Sequence, residues 1–277
     1  MNINLRIAGG CFTEQHNIAF DKLYHQIVKG YIKKNFDIDL NINIIRYERF
    51  ANCFDKIKKS NIDNPIDILL FHIRSEQYLR LAKLYYKFTD ENGKKRHTLN
   101  MPLFKILNPE KFDLLQLFRQ SSSDAYTDYN LKETSLHNFL VSMNYLAGLL
   151  SGNTYFALKN YFNLLNLVID YCTEKNIKLI VVGPASRPHT KFENFLTSRL
   201  NSFMINSIDT QKIKYINCLG NFSENNKSLF FENGIYVNEE GHQRIGGLII
   251  NSLIELFTDE YFMQSINRRS SIVNQQL

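Results

Sequence analysis

Residues 65–76 read PIDILLFHIRSE. From Ile66 to Ile73 the run is apolar almost without interruption. A strand covered by helices on both faces has no reason to alternate polar and apolar residues, so this pattern reads as a buried parallel strand. Pro65 bounds it on one side, and a helical pattern from Glu76 to Tyr86 follows on the other. Upstream, Asn4 to Ala8 is a short buried strand closed by Gly9-Gly10, and Ile18, Leu23, Ile27, Val28 and Tyr31 then recur at helical steps. Ile38 to Tyr47 alternates and is rich in isoleucine, a second strand, and a helix covers Phe50 to Lys59. Downstream, helices span Ser135 to Leu150 and Thr154 to Lys175. Lys178 to Val182 is a fourth strand, stopped by Gly183-Pro184. A helix from Thr190 to Ile208, a fifth strand from Ile213 to Asn217 and a closing helix from Asn238 to Phe257 complete the chain. This alternation predicts an α/β fold: a three-layer αβα sandwich on a five-stranded parallel sheet.

The 277 residues suit one large domain, expected over residues 1–260, with a polar tail over 261–277. Residues 89–130 fit the alternation poorly. They hold Gly93, Pro102, Pro109 and Ser121-Ser122-Ser123-Asp124, and are read as an insertion with short helices, covering the cleft or making a partner surface. Leu103, Phe104, Phe112, Leu114 and Phe118 within it need burial. The formal charge of +6 is dispersed, and its densest run, Lys94-Lys95-Arg96-His97, follows a turn signal, so no nucleic-acid partner is expected. Cys11, Cys53, Cys172 and Cys218 form no CxxC pair or zinc-like spacing, which predicts a reducing, cytoplasmic setting and no metal site. No stretch approaches the ~20 apolar residues of a membrane span.

In parallel α/β sheets the ligand site lies beyond the carboxyl ends of the strands. That rule selects residues 9–13, 46–50, 72–76, 183–189 and 231–238. Taken in order, IAGGCFT, IDILLFHIRSE, LIVVGPASRP and FENGIYVNEEGHQRIGGLI resemble the blocks of the SGNH/GDSL hydrolase superfamily. The resemblance covers most of the chain outside the insertion and tail, and implies the flavodoxin-like strand order 2-1-3-4-5 with Cys11, Arg74 and Tyr236 opening into one cleft. It places Cys11 at the serine nucleophile, Arg74 at the oxyanion-binding asparagine, Asn233 at the aspartate and Tyr236 at the histidine. The last block keeps the family spacing in Asn233-Gly234-x-Tyr236-x-Asn238-x-x-Gly241-His242 while its catalytic letters change. The second block has no counterpart, since no glycine occurs between Gly30 and Gly93; an amide near Tyr47 or Glu48 is the remaining donor there.

These departures set the chemistry. Tyr236 holds its proton to a pH of about 10, so it is no substitute for an imidazole base, and Asn233 carries no charge to support one. Cys11 opens the first helical segment, where the dipole and Arg74 would favour a thiolate. Arg74 would bind a carboxylate, a phosphate or a developing oxyanion. His72 and His16 are the nearest spare imidazoles, while Glu14 and Glu76 serve either as bases or as partners of helix dipoles. Gly10, Arg187 and His189 are candidate ligand contacts. Plainer readings stand beside these: a small buried cysteine at a tight turn, a structural His72, and a solvated loop for Arg187 and His189. Two functions follow: an ester- or thioester-directed hydrolase or acyltransferase using Cys11, or a non-catalytic relative binding a small anion through Arg74. Neither calls for a cofactor.

Overall fold

β3, Ile68–His72, is buried along its whole length, and it organises both halves of the core. Leu69 and Phe71 enter one apolar cluster with Tyr78, Tyr145, Tyr161 and Leu196. Ile68 and Leu70 enter the other, with Tyr24, Val28, Ile245 and Ile249. Successive side chains of a strand point to opposite faces, so a strand between two helical layers is apolar on both faces over most of its length. Burying each of these large side chains contributes roughly 1.5–3 kcal/mol.

The computed structural model describes residues 1–13, 15, 17–47, 50–89, 95–99, 135–188, 191–209, 213–222, 227–231, 234 and 236–258. β1 (Asn2–Gly9), β2 (Asp39–Arg46), β3, β6 (Lys178–Val182) and β7 (Lys214–Ile216) form an all-parallel sheet in the order β2-β1-β3-β6-β7. Counted among the parallel strands this is 2-1-3-4-5, as expected. α1 (Tyr24–Phe36) and α7 (Glu239–Phe257) cover one face. α2 (Phe50–Asp63), α3 (Ser75–Ala82), α4 (Ser135–Leu150), α5 (Asn153–Glu174) and α6 (Lys191–Ser207) supply the other. The three layers are those of the predicted sandwich. Among the described residues no helix is long and apolar enough to cross a membrane.

Three expectations are corrected. The helical pattern counted from Ile18 becomes regular helix only at Tyr24, after a 3-10 turn at Phe20–Lys22. The helix expected to run to Tyr86 stops at Ala82, because Tyr85–Thr89 forms β4, paired antiparallel with β5, Lys95–Leu99. The amide N–H of Tyr85 donates to Asn144 Oδ1 (2.8 Å), and Asn144 Nδ2 donates back to the Tyr85 carbonyl (2.6 Å). These two bonds are those a neighbouring strand would make, which is why chain that is helical by periodicity is extended here. The start of the insertion is therefore a hairpin, not short helices. Residues 100–130 and the tail at 261–277 lie outside the described residues.

α4 is held inward by Tyr145, whose hydroxyl donates to Glu193 of α6, and by Gly148. A Cβ on Gly148 would stand 1.9 Å from the Ala82 carbonyl oxygen, so the contact between α4 and the end of α3 requires glycine.

Candidate active site

Register brings the strand ends level. Gly9 of β1 lies one step past the Ala8–Phe71 pair, and His72 pairs with Val182, so Gly10, Arg74 and Gly183 emerge at one edge. There, among the described residues, Gly10, Phe12, His72, Ile73, Arg74, Ser75, Glu76, Gly183, Ala185 and Arg187 line a cleft of about 350 Å³ including its open mouth. Four of the residues singled out from the sequence, Gly10, His72, Arg74 and Arg187, thus meet in one place.

Arg74 is fixed at both ends. Its backbone amide donates to the Tyr161 hydroxyl of α5 (2.6 Å). Its guanidinium donates through Nη1 to the Tyr47 carbonyl, lies 5.4 Å from the Tyr47 ring centroid and pairs through Nε with Glu76 (3.7 Å). A Cβ on Gly10 would come within 2.5 Å of Arg74 Nε and 2.6 Å of Cζ, so the absent side chain of Gly10 is the space the guanidinium occupies. A permanent cation therefore rests against the residue preceding Cys11. Cys11 itself opens a 3-10 turn, Cys11–Thr13, tied by the Thr13 amide to the Gly10 carbonyl (2.8 Å). Its side chain lies outside the described set.

Glu76, in the first turn of α3, joins Arg74 to Arg187, whose Nη2 donates to its second oxygen. The Arg187 guanidinium stands 5.3 Å from the Phe12 ring centroid. Asn194 of α6 bonds the Arg187 main chain on both sides, accepting from its amide (3.2 Å) and donating to its carbonyl (2.8 Å). The cleft therefore holds two arginines bridged by one carboxylate, suited to planar, oxygen-rich anions.

His72 is buried, with Nε2 2.8 Å from the Tyr24 hydroxyl, and its carbonyl accepts from the Tyr47 hydroxyl (2.6 Å). Burial pushes its imidazole down to about 3. Behind it, His242 Nδ1 accepts from the Tyr24 amide (3.2 Å), and burial holds that ring at about 4. Both rings are neutral at physiological pH.

Tyr236 is half-buried in the loop before α7. Its carbonyl accepts from the Phe231 amide (2.9 Å), beside a bridge between Phe230 and Val237, and Asn238 Oδ1 caps α7 at the Gly241 amide (3.0 Å). It is not among the residues lining the cleft. Asn233 and His189 lie outside the described residues. Sequence reading did not single out Tyr161 or Phe12, and treated Glu76 as a lone carboxylate. Nothing in a regular helix pattern marks Tyr161 as the hydroxyl that meets a strand end. Among the described residues no group of three or more His, Cys, Asp or Glu side chains is arranged to hold a metal ion.

Neither a protein-family model nor a curated protein sequence matches the chain. Solved structures do. A mutant of Axe2, an acetyl-xylooligosaccharide esterase from Geobacillus stearothermophilus, aligns with TM-score 0.53 at 9% identity, over 90% of this chain and 93% of that one. The psychrotrophic esterase EstA from Pseudoalteromonas sp. aligns with TM-score 0.50 at 8% identity, over 92% and 99%. LAE5, an alpha/beta hydrolase enzyme from the metagenome of Lake Arreo, gives TM-score 0.50 at 10% identity, over 90% and 94%. The fold implied by the sequence resemblance, that of the SGNH hydrolases, is the fold the chain adopts.

Proposed function

We propose that this protein is an SGNH-fold hydrolase or acyltransferase acting on an acyl ester or thioester, with Cys11 as nucleophile and Arg74 as oxyanion donor. The observation that carries the reading is the packing of the Arg74 guanidinium against Gly10, next to the position where the SGNH fold presents its attacking group. A cation there stabilises a thiolate and, one step later, the negative oxygen of a tetrahedral intermediate. The thiolate attacks the acyl carbon, an S–C bond forms, and the carbonyl electron pair moves onto the oxygen facing Arg74. Collapse returns that pair and expels the alcohol or thiol portion. Water or an acceptor hydroxyl then takes the acyl group from sulfur. A thioester suits the site best, because a thiol of pKa about 8.5 leaves as an anion without the protonation an alkoxide requires. A reducing compartment keeps such a thiol competent.

A second reading, a non-catalytic relative that binds a small anion, is favoured by the Arg74–Glu76–Arg187 bridge, which is a recognition arrangement as much as a catalytic one.

Time-resolved iodoacetamide labelling read by mass spectrometry separates the two. Cys53, Cys172 and Cys218 are buried, and burial pushes all three thiols up, the last two to about 12. Under the enzyme reading Cys11 labels far faster than these at neutral pH, Arg74→Met slows it, and Cys11→Ala abolishes turnover of an activated thioester. Labelling of Cys11 no faster than the other three removes the enzyme reading. Tolerance of Cys11→Ala, with anion affinity lost in Arg74→Met, establishes the binding one.

A further inference from the structure

We infer that the outward face of α4 is the surface through which two copies of this chain associate. α4 is apolar along its outward face, and its polar residues Ser142 and Asn144 fall to either side of that face. Tyr145 and Gly148 face inward, while Leu136, Phe139, Leu140, Met143, Leu146 and Leu150 are 37 to 81% exposed. At 100° per residue these six fall within one stripe about 120° wide, opposite Tyr145. A helix lying on a monomer surface shows polar residues on its outward face, so an outward face that is an apolar stripe calls for a partner.

The extent of the stripe fits a second copy. With roughly 200 Å² for a fully exposed large side chain, the six leave about 700 Å² of apolar surface, close to the ~800 Å² per partner of a standard interface. Its chemistry fits as well. No Asp, Glu, Lys or Arg occurs between Glu133 and Lys159, so a two-fold pairing of the stripe with itself opposes no like charges. A lipid surface is disfavoured by the same fact, since interfacial helices carry Lys and Arg beside their apolar face.

The test uses the full chain. Sedimentation velocity across a hundredfold concentration range should show a species of twice the 32.5 kDa chain mass. The double variant Phe139→Lys, Leu140→Lys should weaken association by at least about tenfold while keeping the parent circular dichroism. Should that variant fail to fold, Leu140→Cys replaces it: oxidation should give a disulfide-linked dimer that the parent does not form. A wild-type chain that stays monomeric throughout overturns the inference, as does a Leu140→Cys chain that forms no crosslink between copies. A photoreactive residue at position 140 that crosslinks to residues 100–134 of its own chain, or binding of the monomer to neutral lipid vesicles, would assign the face to those occupants instead.

Discussion

The main-chain amide of Arg74 donates a 2.6 Å hydrogen bond to the side-chain hydroxyl of Tyr161, 87 residues later in the chain. Tyr161 is fully buried, and its hydroxyl is also bonded to that of Tyr47, which in turn donates to the His72 carbonyl. Two tyrosines, one from α5 and one from the end of β2, thus hold the turn that carries Arg74. Tyr161→Phe leaves a buried N–H unsatisfied, and should cost roughly 1–3 kcal/mol in urea unfolding. It should also lower thioester turnover by loosening Arg74. Unchanged stability and turnover would mean that the hydroxyl does not hold the turn.

Gly10→Ala tests the contact between Gly10 and the guanidinium. The new methyl would occupy the space of Arg74 Nε and Cζ. The guanidinium is the movable end of a long side chain, so the stability cost should be small, about 1 kcal/mol or less. Moving it breaks the alignment with the Tyr47 carbonyl and Glu76, so Cys11 alkylation and turnover should fall toward the Arg74→Met level. Full activity in Gly10→Ala would separate Arg74 from the chemistry.

His72 and His242 give a pH dependence whose sign follows from burial. Both are held neutral, to about 3 and about 4, whereas an unfolded imidazole takes its proton near pH 6.5. Between these values the unfolded chain binds more protons than the native one. Stability is therefore greatest above pH 6.5 and declines as pH falls toward about 4, by up to about 1.4 kcal/mol per pH unit for each histidine. Urea midpoints between about pH 7 and pH 5, above the range where carboxylates titrate, read this effect together with that of His25, whose imidazole burial also pushes down. A flat profile there would indicate that neither imidazole is shielded from water.

The strands of the sheet can be read from the amino-acid sequence alone. Ile66 to Ile73 is apolar on both faces, and no strand except one between two helical layers can afford that. Gly9-Gly10 and Gly183-Pro184 mark two of the strand ends, and those ends locate the cleft. Its positive lining was legible in part, because Arg74 and Arg187 each follow a strand.

How those side chains pair is set by the packed fold and not by local pattern. Glu76 and Arg187 are 111 residues apart and meet because β3 and β6 are neighbours with a fixed register. No local pattern encodes which helix hydroxyl reaches the Arg74 amide, or that His72 turns toward Tyr24 on α1. The early end of the helix at Ala82 belongs to the same class: Tyr85 reads as helical from its spacing, but Asn144, far along the chain, offers its backbone the two bonds of a strand. Periodicity reports which face of an element is buried, while the partner that buries it is fixed only when the layers close.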